Sequence, residues 1–222
     1  MRKVANVLAS VLVAVILAWG TAATAATIYT NGGIGNNGFI SDTDFGPTGQ
    51  FSADDFVLNP NANVVTDIHW TGSYFPSNTP QAVDNFTIQF FADVAGSPAV
   101  APLLTLAIGN PGRTDTGSNT TAGSDIFRYS IDVAPIFFNP NTRFWISIFN
   151  NTSVDTNDNW FWTISDFGGN GVTRTNTAGP WTPIGFNRYD FDLTGTVVPE
   201  PSTLALLAIG LGLLGWLRKQ AR

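Results

Sequence analysis

Trp160-Phe161-Trp162-Thr163-Ile164-Ser165 sets Trp160, Trp162 and Ile164 on one side of an extended chain, with Thr163 and Ser165 opposite. A period of two marks a strand with one buried face. The same period recurs on both sides of this stretch. Residues 85–91 place Phe86, Ile88 and Phe90 on one face, and residues 143–149 alternate Phe144, Ile146 and Ile148 against Trp145, Ser147 and Phe149. Further apolar runs cover 53–58, 64–74, 100–108, 126–133 and 189–198, separated by turn strings such as Asn59-Pro60-Asn61, Gly96-Ser97-Pro98 and Asn139-Pro140-Asn141. Short strands at this spacing predict an all-β domain, a jelly-roll-like β-sandwich, and exclude alternating βαβ units.

Composition points the same way. Residues 27–197 contain fifteen Asp, no Glu, five Arg and no Lys, a formal charge near −10. Without Glu, Lys or Met this segment lacks most strong helix formers, while Thr, Asn, Gly, Phe and Ile favour strands and turns. So acidic a domain has no cationic cluster to neutralise phosphates, which excludes nucleic-acid binding. The chain has no Cys, which removes disulfides, thiol nucleophiles and Cys-held metals from consideration.

The two ends have a different character. Residues 1–26 read as a secretory signal peptide with a helical apolar segment: Arg2 and Lys3 lead an apolar run, and small residues around Ala23 and Ala25 offer a cleavage site. This predicts a β-sandwich domain over 27–197. At the other end, Val198-Pro199-Glu200-Pro201 precedes fourteen apolar residues, Leu204 to Leu217, and the basic residues Arg218, Lys219 and Arg222. That run predicts a short hydrophobic helix, below the about 20 residues needed to cross a bilayer straight. The basic tail would stay in the cytoplasm and leave the domain outside it.

Motif, span and tail in that order, over 198–222, resemble a PEP-CTERM sorting signal. The resemblance implies export across the inner membrane of a Gram-negative-type bacterium, transient anchoring there, and recognition of Pro199-Glu200-Pro201 by an exosortase. It also implies a final place at the cell surface or in the extracellular matrix, in the company of exopolysaccharide.

Within the domain, chemistry-bearing residues are sparse. His69 is the only imidazole and lies opposite Ile68 and Trp70 on a strand, the place of an ordinary surface or hydrogen-bonded histidine. Asp155, Asn157 and Asn159 offer oxygens at alternate positions, a loop pattern that would take Ca2+, although Trp160 stands where an EF-hand needs Gly. Trp181, between Pro180 and Pro183, is the Trp expected to be exposed and to stack on a sugar ring. The expectation is a non-catalytic surface or matrix protein that associates with exopolysaccharide. The alternatives are a carbohydrate-active hydrolase with paired aspartates and a purely structural coat protein.

Overall fold

The computed structural model describes residues 24–185 and 187–197. The leader as far as residue 23, the segments expected to form flanking helices, Val198, Pro199, Glu200 and Pro201, and the tail residues Arg218, Lys219 and Arg222 lie outside the described residues. Every regular element described is a strand: β1 (Thr24–Thr30), β2 (Ile34–Ile40), β3 (Gln50–Val57), β4 (Val64–Pro76), β5 (Phe86–Val94), β6 (Ser97–Pro98), β7 (Leu104–Gly109), β8 (Thr114–Asn119), β9 (Asp125–Phe137), β10 (Arg143–Phe149), β11 (Asp158–Ser165), β12 (Val172–Thr175), β13 (Thr182–Pro183) and β14 (Phe191–Val197). The first strand begins three residues before the expected domain start at Thr27.

The strands form two seven-stranded sheets. In the first, β4 is the hub. Its one edge carries β14, with β1 beyond, and then β11, with β2 beyond; its other edge carries β9, with β8 beyond. The second sheet runs β13-β12-β3-β10-β5, with β6 and β7 on the free edge of β5. Pairing is nested: β1 with β14, β3 with β12, β4 with β11 and β5 with β10. The first half of the chain thus folds back along the second half, the wrapping of a jelly roll.

Side-chain alternation decides which face each residue serves. On β10, Phe144, Ile146 and Ile148 point into the main core with Trp70, Phe86, Phe90, Trp160 and Trp162. The same strand sends Trp145 to the opposite face, where it joins Phe91, Ala53 and Val172 in a second, smaller apolar cluster. Trp70, Phe86, Tyr129 and Trp160 pack edge to face or stacked with centroids 4.8–6.3 Å apart, the arrangement that ring quadrupoles favour.

The strands that alternation did not foretell are β1, β2, β8, β12 and the two-residue β6 and β13. Close packing erased the signal in β2, whose sequence is Ile-Gly-Asn-Asn-Gly-Phe-Ile. A Cβ on Gly35 would lie 2.6 Å from the Ile164 carbonyl oxygen, and one on Gly38 would lie 2.9 Å from that of Trp162. Only Gly lets β2 approach β11 so closely.

Candidate functional site

The buried aspartates hold backbone together. Asp42 accepts from the backbone N–H of Asp44, Thr152 and Trp160 and from the Thr152 hydroxyl. Asp158 accepts from the backbone N–H of Ser77 and Thr79. Asp84 accepts from the Tyr74 hydroxyl, from Asn150 Nδ2 at 3.1 Å and from Arg113 Nη1 at 3.0 Å. Asp54, fully buried, accepts from the N–H of Tyr189 and Asp55 and from Asn31 Nδ2. Burial pushes its carboxyl up to about 8, against the lowering pull of the Tyr189 amide and Arg188. Asp42, Asp54 and Asp158 thus satisfy backbone N–H groups, while Asp84 gathers three side chains.

Arginines follow a similar pattern. Arg113 pairs with Asp84 and donates to the Gln81 carbonyl. Arg143 and Arg188 converge on Asp55 at 3.1 and 3.3 Å. Arg174 is 3% exposed, donates to the Val100 carbonyl, and lies 4.2 Å from the Trp181 ring centroid and 5.3 Å from that of Phe91. Burial lowers its pKa. Among the described residues, only Arg128 of the five domain arginines makes no side-chain hydrogen bond and no ion pair, and it is exposed.

Arg128 stands on the face of the first sheet that turns away from the main core. Strand β9 sets Arg128 beside Thr71 and Ser130 beside His69, and β14 sets Asp192 on the other side of His69. His69 Nε2 lies 2.6 Å from Asp67 Oδ2, with about a quarter of the imidazole exposed. Behind them Asp190, 2% exposed, accepts from the Thr71 hydroxyl at 2.6 Å. Burial raises the Asp190 carboxyl to about 6, with the Thr71 bond and Arg128 acting to lower it. A cavity of about 650 Å³ opens on this face, lined by His69, Arg113, Asp115, Thr116, Arg128 and Ser130 among others. Its lining offers two guanidiniums, an imidazole, hydroxyls and the Asp115 carboxylate, most of them carried by β8 and β9. That inventory suits a polyhydroxylated ligand, which presents donors and acceptors in all directions.

Of the residues singled out from the sequence, His69 alone lines this cavity. Trp181 is half-buried, not open to solvent: Arg174 lies against its ring, Phe91 packs edge-on at 5.6 Å, and its indole nitrogen is buried. Asn157 is exposed and donates to the Thr79 hydroxyl, Asp155 is half-buried, and Asn159 lies on β11 opposite Phe75. Among the described residues no three or more His, Asp or Glu side chains gather as a metal site. Arg128 was missed by sequence reasoning. Its signal was present: in the alternating run 126–133, Arg128 and Ser130 share the face opposite Tyr129 and Ile131.

Comparison with known proteins places two matches on the chain. The family described as domain of unknown function DUF7901 matches residues 34–194, and the PEP-CTERM protein-sorting motif matches residues 197–222. The sorting motif marks an exported protein that is transiently anchored in the membrane and processed by an exosortase. No curated protein matches. Among solved structures the chain is similar to the cysteine protease and lectin-like domains of Cwp84, a surface layer associated protein of Clostridium difficile. That similarity has 6% identity and a TM-score of 0.46, and covers 67% of this chain and 32% of the other.

Proposed function

We infer from a chain that belongs to the DUF7901 family, with a PEP-CTERM protein-sorting motif behind it, an exported non-catalytic protein of the cell surface or extracellular matrix that binds exopolysaccharide. The observation that carries this reading is the free guanidinium of Arg128 on the cavity wall. The other four arginines are tied into the fold. An exposed cation without a side-chain hydrogen bond or ion pair among the described residues, in a domain of charge near −10, is suited to an acidic group from outside. A guanidinium binds a carboxylate through two parallel hydrogen bonds, so a polysaccharide bearing acidic sugars is the natural ligand. Neighbouring Ser130, Thr116 and His69 supply bonds for hydroxyls.

The reading without catalysis rests on where the carboxyls are. Paired-carboxylate hydrolysis needs two groups facing a substrate about 5–9 Å apart, one of them with a raised pKa. The carboxyls raised by burial, Asp42, Asp54 and Asp190, are at most 2% exposed and already bonded to protein groups. The test is a glycan array with residues 25–197, run with Ca2+ and again with EDTA. Retention on acidic glycans supports the reading, and loss in EDTA would bring a cation into the site. Silence on every glycan would favour a structural coat protein, and release of reducing sugar would favour the hydrolase.

A further inference from the structure

Three Asn-Gly dipeptides occur in the domain: Asn31-Gly32, Asn37-Gly38 and Asn170-Gly171. Asparagine before glycine is the setting in which a backbone amide can attack the preceding side chain, because Gly has no Cβ to block the approach. The fold treats the three differently. Asn31 is buried, with Nδ2 held by Asp54 Oδ2 at 3.1 Å and the Tyr189 carbonyl at 3.0 Å. Asn170 has Nδ2 against both Asp55 oxygens at 3.4 Å, and the Gly171 N–H donates to the Asn187 carbonyl. In both pairs the leaving amide is held, and so is the nucleophile, since the Gly32 N–H donates to Thr30 Oγ1 at 3.2 Å.

Asn37 differs in its side chain. It is exposed, and its side-chain nitrogen makes no hydrogen bond among the described residues. The Gly38 N–H is engaged too, but by the side chain it would attack: it donates to Asn37 Oδ1 at 2.9 Å, which keeps the nitrogen beside Cγ. The register explains this approach. Ser165 pairs with Ile34 and Thr163 with Gly38, so Gly35, Asn36 and Asn37 together oppose the single residue Ile164. This bulge lies in β2, the end strand of its sheet, and a bulge frees its residues from the flat ladder geometry that holds side chain and following amide apart. The strand cannot escape by exchanging Gly38, since a Cβ there would meet the Trp162 carbonyl oxygen at 2.9 Å.

We propose that Asn37 is a site of spontaneous covalent modification, converted through a succinimide to aspartate and isoaspartate while the domain stays folded. The Gly38 nitrogen bonds to Asn37 Cγ and loses its proton, which water relays to Nδ2, and the Cγ–Nδ2 bond breaks as ammonia leaves. Water then opens the ring at either carbonyl. No enzyme, oxidant or reductant is required. Either product adds a negative charge, and the isoaspartyl product inserts an extra backbone carbon next to the Gly38–Thr163 pair. It also displaces the Asn36 carbonyl, which accepts from the Thr121 N–H at 2.7 Å and thereby ties the β8–β9 turn to β2.

The full chain, purified and incubated at mildly alkaline pH, tests this by peptide mapping with mass spectrometry, in parallel with a sample in concentrated urea. Conversion of Asn37 at least about tenfold faster than Asn31 and Asn170 is expected when folded, from the difference in approach geometry. In urea the three rates should converge. Conversion of Asn31 or Asn170 as fast as Asn37 in the folded chain would overturn the proposal. So would an Asn37 that stays intact when folded but converts in urea. An Asn37→Gln variant, whose longer side chain closes a less favourable ring, should lack the early acidic band on isoelectric focusing. Persistence of that band would also overturn the assignment.

Discussion

The two sheets present opposite solutions on their outer faces. On the second sheet, Trp145, Phe91 and Val172 are covered by Trp181 and by the buried guanidinium of Arg174, which the Val100 carbonyl ties down. That face is sealed, and its cation is used up within it. On the first sheet, Arg128, His69 and Ser130 stand along an open cavity, and among the described residues Arg128 makes no side-chain hydrogen bond and no ion pair. The same residue type closes one face and leaves the other available. Aromatic content was the cue that pointed to Trp181, a ring half-buried on the covered face; in the proposed reading the open face, with its exposed guanidinium, is the one that binds.

This contrast is open to attack by substitution. The largest effect is expected from Trp145→Ala, which empties the centre of the sealed face and should cost about 3–5 kcal/mol in denaturant unfolding. A loss below about 1 kcal/mol would mean that the cover is not a packed layer. Trp181→Ala removes a half-buried ring and the stack on Arg174, for roughly 2 kcal/mol, the lower part of the range for large core truncations. It should leave glycan retention unchanged.

Acidity separates the two regions further. Burial raises Asp190 to about 6 and Asp54 to about 8, above the ordinary carboxylate value. Each therefore binds its proton more tightly in the folded than in the unfolded chain. Their stabilising protonation is complete below about pH 4 and is lost as pH rises through about 6 and then about 8. The Tm of the domain should fall across that window by several degrees, at roughly 2–4 °C per kcal/mol. Asp190→Asn should flatten the lower part of the slope, and an unaltered profile would remove Asp190 from this account. The smallest stability change belongs to Arg128→Ala, within about 0.5 kcal/mol for an exposed side chain that makes no hydrogen bond or ion pair.

Much of the fold was legible because inward and outward residues differ in kind. The run 143–149 matches β10 residue for residue, and its alternation correctly divides Phe144, Ile146 and Ile148 from Trp145. Strand β2 was illegible because contact with β11 demanded Gly35 and Gly38 where alternation would have shown side chains. The site was legible only in part. His69 could be placed on an outward face, but its neighbours Asp192 and Ser130 arrive from strands far away in sequence. Whether an arginine is free depends on partners equally distant: Arg113 finds Asp84 and Arg143 finds Asp55 only after folding. Spacing along the chain carries no record of such pairs.

Affinity electrophoresis of residues 25–197 through gels loaded with acidic or neutral polysaccharide tests the central claim most directly, with Arg128→Ala and Trp181→Ala run alongside. The account predicts retardation on an acidic polysaccharide that Trp181→Ala keeps and Arg128→Ala loses by about tenfold or more, the scale of a charge-assisted hydrogen bond. Retardation that survives Arg128→Ala and vanishes with Trp181→Ala, in a variant still folded, would contradict it and move the binding face to the second sheet.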